Sequence, residues 1–513
     1  MNQNSRSSNV LKNIIGGVGG QIFTSILQFV CRTVFISLLG AAYLGVNGLF
    51  SNILSMLSLA ELGIGPAIVF SMYKPIADND EVHVAKLMNF YKTAYRMVAG
   101  IVLVIGLILT PNIEFFINNT TDVQNLKLIF ILILLNTVTS YLFAYKGSML
   151  TADQKAYVGV IIHNIFSVVQ NIAQIVVLVI TGNFILYLVV QVVTTFIGNL
   201  ALAKYVDKKY PFLITYRKEQ INKMERASIL QKVKGMMMHK IGGFVLNSTD
   251  NLIISKFISV VAVGIYSNYL MIINMVKSYV TQITGSVTAS VGNLIASESA
   301  DKVYRAFEAM QLVYFWLYSF CFTCFYVIFQ PFISLWIGEH FLMNKAVLFL
   351  VLLNFYLNGY QDCVNTYVNA TGLFWETRYK PIIECFINLG VSIILAWKIG
   401  LVGVFVGTVA SFICTFWVNP IVIYKHYFKR NVGRYFINFF VYLGMAILMA
   451  LGLDTLLTMV LSVPLFANVI IRIITSLLVP NLILILIFHR SDGFIYCKNL
   501  AKSVLTRFTG RKK

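Results

Sequence analysis

The sequence predicts an all-α polytopic membrane protein with about 14 transmembrane helices, built as two pseudo-symmetric six-helix bundles plus a C-terminal helix pair. Three observations predict it. The 513-residue chain is 58% hydrophobic and 12% charged, whereas ordinary soluble domains carry about a quarter charged residues. Its apolar runs reach the length of about 20 residues that a spanning helix needs, and no large polar insert separates them. A weak internal similarity relates the first half of the chain to the second.

The candidate spans run at about 14–39, 43–73, 87–110, 124–145, 156–181, 184–205, 235–258, 262–296, 303–330, 346–371, 379–398, 401–424, 435–453 and 466–489. The polar start "MNQNSRSSNVLKN" precedes a long apolar run with no small-residue cleavage site, so that run reads as a retained helix. The organisation this implies is an N-terminal six-helix bundle over 1–206, a basic cytoplasmic linker over 207–234, a C-terminal six-helix bundle over 235–430, and two additional helices with a basic tail over 431–513.

The net charge of +20 sets topology. With the N-terminus inside and the span ends assigned alternately, only Lys127, Lys256, Lys345 and Lys398 fall at the outer side. Most Lys and Arg collect inside, in "KYVDKKYPFLITYRKEQINKMERASILQKVK", at Lys425, Lys429, Arg430 and Arg434, and in the tail "TRFTGRKK". This positive-inside pattern places both termini in the cytoplasm. No aromatic-basic motif accompanies the charge, which argues against nucleic acid. The pair "CFTC" (Cys321, Cys324) sits in an apolar run without partner ligands and reads as packing; no metal site is expected.

A shift of 219 residues lays "GGVGGQIFTSILQFVCRTVFISLLGAAYLGVNGLFSNIL" on "GMMMHKIGGFVLNSTDNLIISKFISVVAVGIYSNYLMII", matching Gly16 to Gly235, Gly45 to Gly264 and Phe50 to Tyr269. Polar residues recur at equivalent places. On the first span Gln21, Thr24, Ser25, Gln28 and Arg32 are spaced by three and four and share a face; the shift carries them onto the stretch holding Lys240, Asn247, Asp250 and Asn251. The second span offers Asn47, Ser51, Ser58 and Glu61, and the eighth Ser267, Asn274, Lys277, Ser278, Thr281 and Gln282. Lipid cannot satisfy these groups, so they should face one another or a water-filled cavity. Near Glu61, "ELGIGPA" puts Gly63, Gly65 and Pro66 mid-span, a composition that permits a bend.

A permanent cation in an apolar span costs roughly 2.5–3.5 kcal/mol on insertion scales. Arg32 and Lys277 therefore admit structural pairing with Glu61 and Asp250, or a cationic cavity for an anionic headgroup such as phosphate. Snorkelling is a third reading for Arg32, seven residues from the outer end of its span, and a poorer one for Lys277, nearer mid-span. Glu308, Asp362, Glu384 and His163 are further ionisable groups inside spans, able to relay protons, bind a coupling cation or serve as local structural partners. Glu61, Asp250, Asp362 and Glu384 are the candidates for coupling to a proton or sodium gradient; no other cofactor is expected. Lys92 and Arg96, near the cytoplasmic end of the third span, read as snorkelling cations, and Arg472 as an interface anchor in the C-terminal pair.

The string R-x7-G-x4-G from Arg32 through Gly40 to Gly45, the following "LAELGIGPAI" and the cytoplasmic turn "YKGSMLTADQKAY" resemble the polysaccharide transporter family, the Wzx-type lipid-linked oligosaccharide flippases. Their superfamily also holds multidrug and toxin extruders and the lipid II flippase. The resemblance covers about residues 9–490 and implies a V-shaped pair of six-helix bundles in a bacterial cytoplasmic membrane. It implies movement of an undecaprenyl-pyrophosphate-linked oligosaccharide from the inner to the outer leaflet by alternating access, with no bond chemistry. By similarity, Arg32, Lys277 and Lys240 take the pyrophosphate. Gln21, Ser25, Gln28, Asn47, Ser51, Glu61, Asn247, Asp250, Asn251, Asn274 and Thr281 would line the cavity. Membrane lipid and other polysaccharide-assembly membrane proteins are the implied partners. Three rivals remain open or weaker: a lipid II flippase, a cation-coupled drug extruder, which would favour an acidic cavity, and a polymerase or ligase, which would need a sizeable outer catalytic loop.

Overall fold

The computed structural model describes residues 3–58, 64–117 and 123–508. Helices follow one another as α1 (Gln3–Leu57), α2 (Ile64–Ala77), α3 (Glu81–Leu109), α4 (Leu126–Ala152), α5 (Ala156–Thr181), α6 (Phe184–Lys209), α7 (Phe212–Thr215), α8 (Lys223–Phe257) and α9 (Val260–Ser297). They continue as α10 (Ala300–Ile337), α11 (Lys345–Thr371), α12 (Phe374–Thr377), α13 (Lys380–Ile399), α14 (Leu401–Thr415), α15 (Val418–Ile423), α16 (Gly433–Val460), α17 (Leu465–Phe488) and α18 (Asp492–Phe508). No strand occurs among the described residues. The chain is a multi-pass, all-α membrane protein.

Twelve helices among the described residues are long and apolar enough to cross a membrane, against the fourteen spans expected. The difference has two sources. The first two expected spans are continuous through Leu57 and count once, and much of the interior of α8 lies outside the described side chains. A straight 55-residue helix would be about 80 Å long, more than twice the hydrocarbon thickness. The break comes at Gly40, whose backbone (φ 79°, ψ −175°) is not helical and occupies a region that only glycine enters without strain. In the second expected span α1 is described to Leu57 and α2 from Ile64, with residues 59–63 outside the described part.

Beyond Gly40, α1 crosses the start of α9 at backbone contact. A Cβ on Gly45 would lie 1.9 Å from the Val260 carbonyl oxygen, and one on Gly264 would lie 2.1 Å from the Ala41 carbonyl oxygen. The shift that relates Gly45 to Gly264 also relates Ala41 to Val260, so the contact of Gly45 with Val260 and that of Gly264 with Ala41 are exchanged by the repeat. Such reciprocity is the signature of a two-fold contact. Small residues are what allow membrane helices to approach so closely.

Contacts elsewhere in the first part of the chain agree with the alternating topology. The start of α3 meets the start of α8 through His83 and Glu225, 2.8 Å apart. Their far ends meet too: Ser255 Oγ donates to the Phe116 carbonyl at 2.8 Å and Lys256 Nζ to the Phe115 carbonyl at 2.7 Å. The two helices therefore run parallel. Lys256 also stands over the Phe115 ring, 4.0 Å from its centroid, while Lys127 pairs with Glu114 at 3.7 Å, so two of the expected outer cations share one end. The turn "YKGSMLTADQKAY" fastens the opposite end: Lys146 pairs with Asp207, Asp153 with Lys155, and Tyr210 donates to Asp153 Oδ2 at 2.6 Å. Burial first, then that acceptor, pushes the Tyr210 phenol well above its ordinary value.

The chain divides into two compact units, Met1–Ser267 and Asn268–Lys513, with the boundary inside α9. In the second unit α10 packs against α11, α16, α17 and α18. Arg472 ties the C-terminal pair together and to α10. It is 6% exposed and donates to Asp454 Oδ1 (2.6 Å), Asn468 Oδ1 (2.7 Å), Thr458 Oγ1 (2.8 Å) and the Val327 carbonyl (3.1 Å). A buried guanidinium is tolerated when paired in this way, and Arg472 is an internal tie between helices rather than the interface anchor expected from sequence.

The crossing sets a stability test. Gly45→Ala and Gly264→Ala should each lower the thermal midpoint of the purified protein, since overpacking costs about 1–3 kcal/mol. Gly390→Ala, where nothing lies within 4 Å of a Cβ, should leave it unchanged or slightly raised. Unchanged midpoints for both crossing variants would refute the backbone contact.

Candidate functional site

Each helix that carries the expected polar faces is built from a mainly apolar span. On α1, Thr24 is buried, Ser25 and Arg32 are half-buried and Gln28 is exposed; beyond Gly40, Asn47 is half-buried and Ser51 exposed. Arg32 Nη2 donates to Ser267 Oγ at 2.5 Å, and Ser267 Oγ in turn donates to the Gly264 carbonyl at 2.8 Å. The Tyr187 hydroxyl and the Cys31 thiol lie within electrostatic reach of the guanidinium. The hydroxyl that Arg32 meets is thus presented by the same glycine that makes the crossing. Two sequence-predicted stripes, on the first and eighth spans, are joined here by a charge-assisted hydrogen bond.

The repeat-related stretch behaves differently. Asp250 and Asn251 are both buried at 8% exposure, with Asp250 in electrostatic reach of Tyr266. The Asn251 side-chain oxygen Oδ1 finds no hydrogen-bond partner among the described residues. Glu61 and the side chains of Gln21, Lys240 and Asn247 lie outside what the structure describes.

In the second unit, Asn274, Lys277 and Thr281 of α9 are all exposed although they sit on an apolar helix. Spacings of three and four place them on one face. Thr281 Oγ1 donates back to the Lys277 carbonyl at 2.8 Å and Ser278 Oγ to the Met275 carbonyl at 2.7 Å, leaving Lys277 as the charge on that face. Asp362 of α11 lies within electrostatic reach of Lys277. Asp362 accepts from Tyr318 and from Asn365, and Asn365 Oδ1 accepts from Asn419 Nδ2 at 2.7 Å. Gly359, one turn before Asp362, admits the Tyr318 ring, which a Cβ there would strike at 1.9 Å. A polar chain Asn419, Asn365, Asp362, Tyr318 therefore runs through the unit beside Lys277. The sequence reading named Asp362 without this network, because its members come from three separated segments.

Glu384 is 8% exposed and pairs with Lys380 on its own helix at 3.2 Å. Glu308 meets Arg434 at 3.5 Å.

Residues 10–289 match the sequence profile of the polysaccharide biosynthesis protein family, more than half of the chain. The chain belongs to that family. No curated protein matches it significantly. Among solved structures it is similar to the lipid II flippase MurJ in an inward closed conformation, with a TM-score of 0.68 at 14% identity over 93% of this chain and 99% of that one. It is also similar to a multidrug resistance MATE family transporter of the MOP superfamily in an inward-facing conformation, with a TM-score of 0.60 at 14% identity over 78% and 94%. The Vibrio cholerae MATE transporter VcmN in its bent form gives 0.53 at 14% identity over 83% and 98%. The fold is that of these transporters, and the family is one of polysaccharide biosynthesis.

The pairing of Lys277 with Asp362 is open to a double-mutant cycle. Lys277→Ala removes the stronger of the two cations that act on Asp362, leaving Lys380, so adding Asp362→Asn should recover part of the lost thermal stability, with a coupling of about 0.5–3 kcal/mol. Strict additivity of the two midpoint shifts would show that the groups act independently.

Proposed function

We propose that this protein flips an undecaprenyl-pyrophosphate-linked oligosaccharide repeat unit from the cytoplasmic to the outer leaflet, by alternating access, for cell-surface polysaccharide biosynthesis. The observation that carries the reading is the exposed face of Asn274, Lys277 and Thr281 on an apolar span. A cation and two hydrogen-bonding side chains stand there with no lipid group able to satisfy them. The chemistry suits a headgroup that carries phosphate charge and sugar hydroxyls. Lys277 supplies a point charge and Arg32 a planar fork that binds phosphate bidentately; the Asn and Thr side chains offer donors and acceptors to hydroxyls. Arg32 would exchange its Ser267 hydrogen bond for substrate oxygen. Both partners are hydrogen-bonding groups, so the exchange leaves no buried polar atom stranded.

Asp362 is the group we assign to ion coupling. Its carboxylate answers to Lys277, so a proton or sodium ion there would change the charge that the headgroup meets. Glu384, held by Lys380, takes a structural role in this scheme. No covalent step is required, and the protein is a transporter rather than an enzyme. Both termini are placed on the cytoplasmic side by the distribution of basic residues.

Similarity in fold to a lipid II flippase favours one second reading, a peptidoglycan precursor as substrate, because that lipid presents the same diphosphate chemistry. Deletion followed by lipid analysis separates the two. Lipid-linked repeat units accumulating on the inner leaflet support the proposal, accumulated peptidoglycan precursor supports the second reading, and unchanged lipids with normal surface polymer contradict both. Arg32→Ala with Lys277→Ala should abolish polymer export while the protein still inserts into the membrane. Full export by that double variant would remove the headgroup assignment.

A further inference from the structure

The cations Lys92 and Arg96 on α3, read from sequence as snorkelling side chains, do not stand singly. On α3, Asn89, Lys92 and Arg96 share one face at spacings of three and four. Lys92 lies within electrostatic reach of Arg96, of Lys146 on α4, of Arg217 in the segment after α7, and of one carboxylate, Asp207. Tyr145 lies within electrostatic reach of both Asp207 and Arg96. Four cations from three parts of the first unit therefore converge at one end of it.

The convergence is built. Asn89 Nδ2 donates to the carbonyls of both Tyr216 and Glu219 at 2.9 Å, clamping the segment that carries Arg217 onto α3. Lys146 is 11% exposed at its side chain and ion-paired with Asp207. Snorkelling accounts for a cation that leaves the bilayer by itself; it gives no reason to pin Arg217 next to Lys92, where like charges repel.

Nearby carboxylates are already committed. Glu219 faces Lys86 at 3.8 Å, Glu225 faces His83 at 2.8 Å, and Asp153 holds Lys155 and Tyr210. Asp207 is ion-paired with Lys146 and is the one carboxylate among the groups that act on Lys92. Lys92, Arg96 and Arg217 remain an excess of positive charge around a half-buried ammonium, an arrangement that a compact polyanion neutralises.

We propose that Lys92, Arg96, Lys146 and Arg217 form a second anion site, for a diphosphate group, at the end of the first unit where the basic linker begins. Under the topology assigned above this end faces the cytoplasmic leaflet, and in that respect the proposal rests on the flippase reading. The site would take the diphosphate of a polyprenyl lipid there before the headgroup reaches Arg32 and Lys277. Free inorganic diphosphate carries the same chemistry, and the test separates the two sources.

The test uses full-length Arg32→Ala/Lys277→Ala protein in phosphatidylcholine nanodiscs, so that the headgroup site already described is silent, titrated calorimetrically with inorganic pyrophosphate. Binding that weakens as salt rises, and that falls by about tenfold or more when Lys92→Gln and Arg217→Gln are added, supports the site. The charge-preserving pair Lys92→Arg and Arg217→Lys should retain it, which excludes loss of fold as the cause. Absence of binding, or undiminished binding after the Gln substitutions, overturns the proposal. With discs containing polyprenyl diphosphate, competition against pyrophosphate supports the lipid as ligand. Competition by phosphatidylglycerol to the same degree overturns the preference for diphosphate, and no competition by either lipid overturns the lipid source. None of these readouts involves transport, so failure of the flippase reading would show separately, as unchanged lipid-linked intermediates after deletion.

Discussion

The backbone contact between α1 and α9 is the constraint on which the candidate site depends. Gly45 and Gly264 bring two helices together with no side chain between them, and Ser267, one turn beyond Gly264, then falls within 2.5 Å of Arg32. Any larger residue at either glycine would push the helices apart and withdraw the hydroxyl from the guanidinium. The break at Gly40 matters for the same reason: it redirects α1 so that Arg32 and Gly45, thirteen residues apart in sequence, both engage the start of α9. Packing and polar chemistry are thus decided by the same few positions.

A membrane interior has no water to satisfy polar groups, so the fate of each one is informative. Arg472 spends its donors on four partners and Glu384 meets Lys380; these are closed arrangements that hold helices together. The face of Asn274, Lys277 and Thr281 is open, and the lysine there is answered by Asp362 at longer range rather than by a direct ion pair among the described residues. Between these extremes lies Arg32, hydrogen-bonded yet half-buried. That gradation, more than the number of charges, separates scaffold from site.

The fold was largely legible in the sequence because its signals are local or periodic. Long apolar runs define helices, basic residues define sides, and the 219-residue shift paired Gly45 with Gly264 before any contact was visible. The join between the first two spans was not legible, since a lone glycine within an apolar run looks the same whether it sits inside a helix or breaks it. The stripes on α1 and α9 were legible from spacing, but their meeting at Arg32 and Ser267 depends on how two helices cross. Asp362 was recognised as an ionisable group and its tie to Lys277 was not, because Tyr318, Asn365 and Asn419 reach it from distant segments. The convergence around Lys92 was hidden for the same reason.

The central claim is that the polar face of α9 meets water inside the membrane. Its most direct test is thiol accessibility in a cysteine-free version of the protein reconstituted in lipid, with Asn274→Cys, Lys277→Cys and Thr281→Cys probed by a membrane-impermeant maleimide, and Ile272→Cys on the opposite side of the helix as control. The account predicts labelling at all three positions, little at Ile272→Cys, and protection of the three by a polyprenyl-diphosphate oligosaccharide. Equal resistance to labelling at all four positions would contradict it.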